Sequence, residues 1–170
     1  MSNTVELINR ETQHALAIHD YVGTLKLGRV MGPAYMKIAA YMHENDSEPQ
    51  EAPFTCYRID NWDEALRMEG FKAFLALFTK KWDVTMGFPT PEKMQGDGSI
   101  QPIEIPAGPY FKTTHVGPYP KVGDAYKRLS AYAEEHNLAL GARCYEYYLN
   151  DPRETPKDQL QTLIFVPVGP

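Results

Sequence analysis

The chain has 170 residues, 43% of them hydrophobic and 23% charged, a globular composition large enough to bury a core without metal or disulfide staples. Its 17 basic and 22 acidic side chains give a formal charge of −5, which argues against an electrostatic hold on nucleic-acid phosphates or on anionic membranes. The N-terminus has no basic segment followed by an apolar run, and the most apolar stretch, residues 73–79 between Lys72 and Lys80, is far short of the roughly 20 residues of a bilayer span, so a cytoplasmic location is expected.

In chain order the first predicted element is a strand over residues 15–23, ending Tyr21-Val22-Gly23. A helix over residues 31–45 follows, because Met31, Tyr35, Ile38 and Met42 form one apolar stripe at helical spacing. Cys56-Tyr57 opens a β-rich run. Phe71, Phe74, Leu75, Phe78 and Trp82 recur at helical spacing within residues 61–82, which predicts a helix over 71–82 that helps to close one end of a pocket. A strand over 84–89 comes next, and residues 91–109, with Gly96-Asp97-Gly98 and four prolines, read as a linker. The order then recurs: a strand over 110–117 ending His115-Val116-Gly117, a helix over 122–136, Cys144-Tyr145, and a last strand over 163–167. A glycine at each strand end permits the positive φ of a sharp strand-to-helix turn.

The recurrence is an internal repeat. Residues 31–45 match 122–136 at a constant offset of 91, with six identical pairs: Gly32 and Gly123, Ala34 and Ala125, Tyr35 and Tyr126, Ala40 and Ala131, Tyr41 and Tyr132, Glu44 and Glu135. The unit is strand-helix-strand-strand, used twice in one domain, over about 1–90 and 91–170. This predicts an α+β fold in which antiparallel sheet is covered by the two helices. From Cys56 to Pro89 is 33 positions, against 23 from Cys144 to Pro167, so the insertion belongs to the first copy.

Two cysteines, Cys56 and Cys144, and five histidines show no metal-ligand spacing, and no phosphate loop or nucleophile elbow is present. Neither a metal nor another cofactor is implied. His115, just before Gly117, fits a structural role at the turn.

The second copy carries the most specific pattern: Ile105-Pro-Ala-Gly-Pro-Tyr-Phe-Lys-Thr-Thr-His-Val-Gly-Pro-Tyr119, then Cys144-Tyr-Glu-Tyr-Tyr-Leu-Asn-Asp-Pro152, then Leu163-Ile-Phe-Val-Pro-Val168. This resembles the GyrI-like small-molecule-binding domain, also found as the effector-binding domain of AraC-type and MerR-type multidrug regulators. The resemblance is strong from Ile105 to Val168 and weaker over residues 1–90. It implies a duplicated strand-helix-strand-strand fold with a ligand cleft between the halves, lined by aromatic residues around a glutamate. Glu146 matches that glutamate and Tyr148 the aromatic residue after it. Family members often carry an acidic residue beside the threonine of the last strand. This chain has Thr162-Leu163, which leaves Glu146 as the main charge.

The residues themselves point to the same strand. Side chains alternate, so Cys144, Glu146 and Tyr148 share one face while Tyr145, Tyr147 and Leu149 share the other. A buried carboxylate without a fixed cation is costly, and a lipophilic cation supplies both the charge and the apolar surface. The candidate lining is Tyr148, Tyr110, Trp82, Tyr57 and Phe165, all of which also suit an ordinary core. The structural alternative for Glu146 is an ion pair with Arg58, its counterpart in the repeat.

The first expectation is a stand-alone binding protein for amphipathic, mostly cationic drug-like molecules. The repeats fill the chain, leaving no helix-turn-helix, so no direct nucleic-acid binding is expected and transcriptional control would need a partner regulator. The alternative, from stand-alone family members, is a hydrolase of reactive cyclopropane-type electrophiles with Glu146 as general base and Tyr148 as hydrogen-bond donor. Inhibition of DNA gyrase, suggested by the family name, finds no specific support in these residues.

Overall fold

In chain order the structure, a computed structural model that describes residues 4–49, 51–67 and 80–170, begins with β1 (Glu6–Arg10), β2 (Gln13–Gly23), α1 (Leu27–Glu44) and β3 (Phe54–Arg58). It continues with α2 (Trp62–Arg67), β4 (Lys81–Pro89), β5 (Gln101–Ile105), β6 (Gly108–Val116), α3 (Gly123–Glu135), β7 (Arg143–Tyr148) and β8 (Gln161–Pro167). The α+β class and the antiparallel pairing are as the sequence predicts. The contacts divide the chain into two compact units.

One unit comprises the described parts of Thr12–Arg58 and Met68–Pro106. Its strands are antiparallel in the order β3-β4-β2-β5. Helix α1 buries Ala34, Ile38 and Met42, four residues apart on one face, against Leu16, Val22, Val84, Met86 and Phe88 of β2 and β4. Gly87 in β4 is required by close approach: a Cβ there would lie 2.5 Å from the Leu16 carbonyl oxygen and 3.0 Å from the Phe54 ring.

The other unit comprises the described parts of Met1–Glu11, Ile59–Arg67 and Ala107–Pro170. Its order, β1-β6-β8-β7, is again antiparallel. Helix α3 buries Ala125, Leu129 and Ala133, the repeat equivalents of Ala34, Ile38 and Met42, against Phe111, Cys144, Ile164 and Val166. Each unit is therefore strand-helix-strand-strand plus one added edge strand. That edge strand is distant in sequence. β1 lies within residues 1–90 yet pairs with β6 of the second copy, and β5 lies within residues 91–170 yet pairs with β2 of the first. Only Glu11-Thr12 separates β1 from β2, and only Pro106-Ala107 separates β5 from β6; neither dipeptide supplies the positive φ of a two-residue hairpin turn.

Three local expectations are corrected. Residues 91–109, read as linker, contain β5, whose Ile105 is buried. Lys81 and Trp82 belong to a strand: Trp82 lies opposite Val22 in the β2–β4 ladder, while Phe71, Phe74, Leu75 and Phe78 fall outside the described residues. Gly117 does take positive φ, 127°, with its N–H donating to the Leu160 carbonyl at 2.8 Å, whereas Gly23 is ordinary extended backbone at φ −65°. His115 is buried beside that turn, its Nε2 3.1 Å from the Pro118 carbonyl oxygen.

Candidate functional site

Within the unit built on α3, β7 carries Arg143-Cys-Tyr-Glu-Tyr-Tyr148, and residues 144 to 147 are buried on both faces of the strand. Alternation puts Cys144 and Glu146 on the side of α3. Tyr126, one helical turn after Val122, reaches the same side. Its hydroxyl donates to Glu146 Oε1, and it accepts from the Cys144 thiol at 3.3 Å. The Tyr148 hydroxyl donates to the other oxygen, Glu146 Oε2, at 3.0 Å. Glu146 is only 7% exposed, and among the described residues its carboxylate is held by these two phenols and by no cation.

Burial dominates the electrostatics. Loss of water raises the Glu146 pKa above the usual carboxylate value, and the two donated hydrogen bonds pull it back down in part. Tyr126 is raised well above the usual phenol value, chiefly by burial and then by the neighbouring Cys144 and Glu146. The Tyr119 phenol is also raised, by burial first and then by Asp151 and Glu146. The arrangement is a buried carboxyl, its pKa raised by burial, held by two hydroxyl donors.

Aromatic side chains complete the surroundings. The half-buried Tyr119 meets the Tyr148 ring edge to face at 5.6 Å. Trp62 lies 5.7 Å from the Tyr126 ring, and its indole N–H donates to the Gly141 carbonyl at 2.8 Å. Trp62 opens α2, which Asn61 caps by accepting from the Glu64 N–H at 3.0 Å. Thr162 of β8, opposite Tyr148, is fully buried, and its hydroxyl has no hydrogen-bond partner among the described residues.

A family model for the GyrI-like small molecule binding domain matches residues 73–169, more than half of the chain. The chain belongs to the GyrI-like family. No curated protein matches this GyrI-like chain. Among solved structures it is similar to EcmrR: the C-terminal domain aligns with a TM-score of 0.68 and 19% identity over 99% of this chain and 98% of that one. A longer EcmrR chain in a DNA complex aligns at 0.70 and 17% over 98% of this chain but 57% of its own length, so this GyrI-like chain spans little more than half of it. A hydrolase from Listeria innocua gives 0.70 and 13%, covering 98% and 92% of the two chains. SAV2435, solved with tetraphenylphosphonium, gives 0.58 and 14%, covering 96% and 93%. At these identities the likeness is one of fold.

The six candidate residues fall in three places. Glu146 and Tyr148 are together. Tyr110 of β6 and Phe165 of β8 occupy the opposite face of the sheet, packed on Tyr145 and Tyr147 of β7 at 6.3 and 5.5 Å. There the Arg10 guanidinium lies 4.2 Å from the Phe165 ring, 5.3 Å from Tyr110 and 5.6 Å from Tyr147, and donates to the Tyr147 hydroxyl at 3.2 Å. Tyr57 and Trp82 belong to the other unit, edge to face at 5.9 Å. Sequence reasoning missed Tyr126, Tyr119 and Trp62. The available signal was the repeat itself: Tyr35, the equivalent of Tyr126, places its hydroxyl on the following strand at 2.6 Å from Thr55 Oγ1.

Proposed function

We propose that this GyrI-like protein binds amphipathic, mostly cationic small molecules at Glu146. One observation carries the reading: a buried carboxylate held by two phenol hydroxyls and, among the described residues, by no cation. Such a group is costly to keep ionised unless charge arrives from outside, and a lipophilic cation brings it with little desolvation cost of its own. The aromatic rings of Tyr148, Tyr119 and Trp62 add cation–π attraction, about 0.5 to 2 kcal/mol per contact. Selection is then by charge and apolar area more than by shape. Tyr110 and Phe165, on the other face of the sheet, and Tyr57 and Trp82, in the other unit, are further aromatic candidates for ligand contact, each taken apart from Glu146. That a protein of the same fold was solved with tetraphenylphosphonium supports the class of ligand.

Equilibrium dialysis with tetraphenylphosphonium and with neutral triphenylphosphine oxide tests this reading. Retention of the cation well above that of the neutral compound is expected, and equal retention contradicts it.

One feature favours a second reading, hydrolysis of reactive electrophiles such as cyclopropane-bearing compounds. A carboxyl with a raised pKa beside two hydroxyl donors suits a general base: Glu146 takes the proton of the water that bonds to the ring carbon, the ring C–C bond breaks, and Tyr148 serves as hydrogen-bond donor to the electrophile that receives the electron pair. Mass spectrometry separates the readings, since a binder returns its ligand unchanged and a hydrolase yields the water adduct.

A further inference from the structure

The unit that contains α1 carries a cleft of about 320 Å³ where the edge strand β5 pairs with β2, a volume within the range of small-molecule sites. His14 and Glu104 stand directly opposite each other in that ladder, with Pro102, two positions before Glu104, on the same face. Lys93 and Met94, from the segment between β4 and β5, also line the cleft. That segment is pinned to the unit. The Thr90 N–H donates to the His14 carbonyl at 2.9 Å, and its hydroxyl donates to the Glu92 carbonyl at 2.8 Å. Tyr41 of α1 donates its hydroxyl to the Gln95 carbonyl at 3.1 Å, and Met94 packs on the cluster that holds Leu16, Ile38 and Met42. At Gly96 a Cβ would collide with the Ile100 carbonyl oxygen. The wall is therefore part of the folded unit, as a preformed site requires.

The lining carries both signs of charge. Glu104 Oε1 lies 3.6 Å from His14 Nδ1, beyond hydrogen-bond range, and that buried nitrogen has no hydrogen-bond partner among the described residues. Among the described residues Lys93 makes no ion pair and no hydrogen bond, with Glu104 or any other. A carboxylate and an ammonium thus stand apart in one cleft, with Met94 and Pro102 as apolar surface. We infer that this cleft is a ligand site in its own right, for a small apolar α-amino acid in its zwitterionic form. The ligand's ammonium pairs with Glu104, its carboxylate with Lys93, and its side chain lies on Met94 and Pro102. A zwitterion matches both charges at once, whereas a simple amine or a simple carboxylate leaves one of them unmatched. The site is independent of Glu146, because a single compact unit supplies all of it.

Titration of the full chain, followed through its backbone amide NMR shifts, tests the site with three probes: L-leucine, L-leucinamide, which lacks the carboxylate, and isocaproate, which lacks the ammonium. L-leucine should move the amides of His14, Lys93, Met94 and Glu104 saturably and should bind most tightly of the three. Lys93 and Glu104 are exposed, so substitutions there spare the core. Lys93→Gln should weaken L-leucine about two- to fivefold, the size of an exposed ion pair, and should not weaken leucinamide. Glu104→Gln should weaken L-leucine by a similar factor and should not weaken isocaproate. Glu92→Gln changes an exposed charge outside the lining and should stay within about 1.5-fold of wild type, because screening weakens a solvated charge at a distance. The inference is overturned if millimolar L-leucine moves none of these amides, if it binds no more tightly than either analogue, or if Lys93→Gln or Glu104→Gln leaves its affinity unchanged.

Discussion

Glu146 turns the physical account into a pH dependence. Its folded pKa is raised above the unfolded value by burial, so between the two values the native state holds a proton that the unfolded state has released. The contribution to stability is therefore present at low pH and is lost as pH rises through the folded pKa. Thermal melts of wild type and Glu146→Gln should show wild type gaining on the variant as pH falls toward the ordinary carboxylate range, and a constant difference would contradict the assignment. Under the proposed function cation binding runs the other way, because it needs the ionised form: affinity for tetraphenylphosphonium should fall over the same descent while a neutral ligand holds steady. Tyr126→Phe removes a hydrogen bond that favours the carboxylate and should move that fall to higher pH, at a stability cost of about 1.5 to 3 kcal/mol. Thr162→Val replaces a buried hydroxyl that lacks a partner among the described residues, and should leave the melting temperature unchanged or raise it. At this scale the sequence revealed the charge and not its holders. Glu146 stands out as an acid among tyrosines, but Tyr126 lies in a helical apolar stripe and reads as core until its hydroxyl is seen on the next strand.

At the scale of elements, both helices and the strands that follow them were legible because each repeats the same spacing of buried positions, Ala34-Ile38-Met42 and Ala125-Leu129-Ala133. The edge strands were not. β1 and β5 are five residues each and pair with partners more than 80 residues away in sequence, so no local pattern announces them. The register of β6, β7 and β8 was equally hidden, and with it the fact that Tyr110 and Phe165 face away from Glu146. Trp82 fitted a helical period by chance of spacing, while its place opposite Val22 is set by the ladder. Two substitutions check the packing. Leu129→Ala opens a cavity under α3 and should cost about 2 to 5 kcal/mol in denaturant unfolding. Gly87→Ala pushes a methyl group into the Leu16 backbone and the Phe54 ring, and should lower the melting temperature where an exposed Gly→Ala change would not.

For the whole molecule, a charge of −5 opposes association with a polyanion, and filter binding at low salt should find no sequence-specific DNA complex of submicromolar affinity. Among the described residues no helix is long and apolar enough to cross a membrane. The proposed function of this GyrI-like chain turns on a buried carboxylate held by two phenols and, among the described residues, by no cation, and the most direct measurement of that proposal is a four-way calorimetric comparison: wild type and Glu146→Gln, each titrated with tetraphenylphosphonium and with triphenylphosphine oxide. Glu146→Gln keeps the shape and removes the charge, so the cation should lose about 1 to 3 kcal/mol while the neutral compound changes far less. Equal losses for both ligands, or no loss for either, would contradict the account.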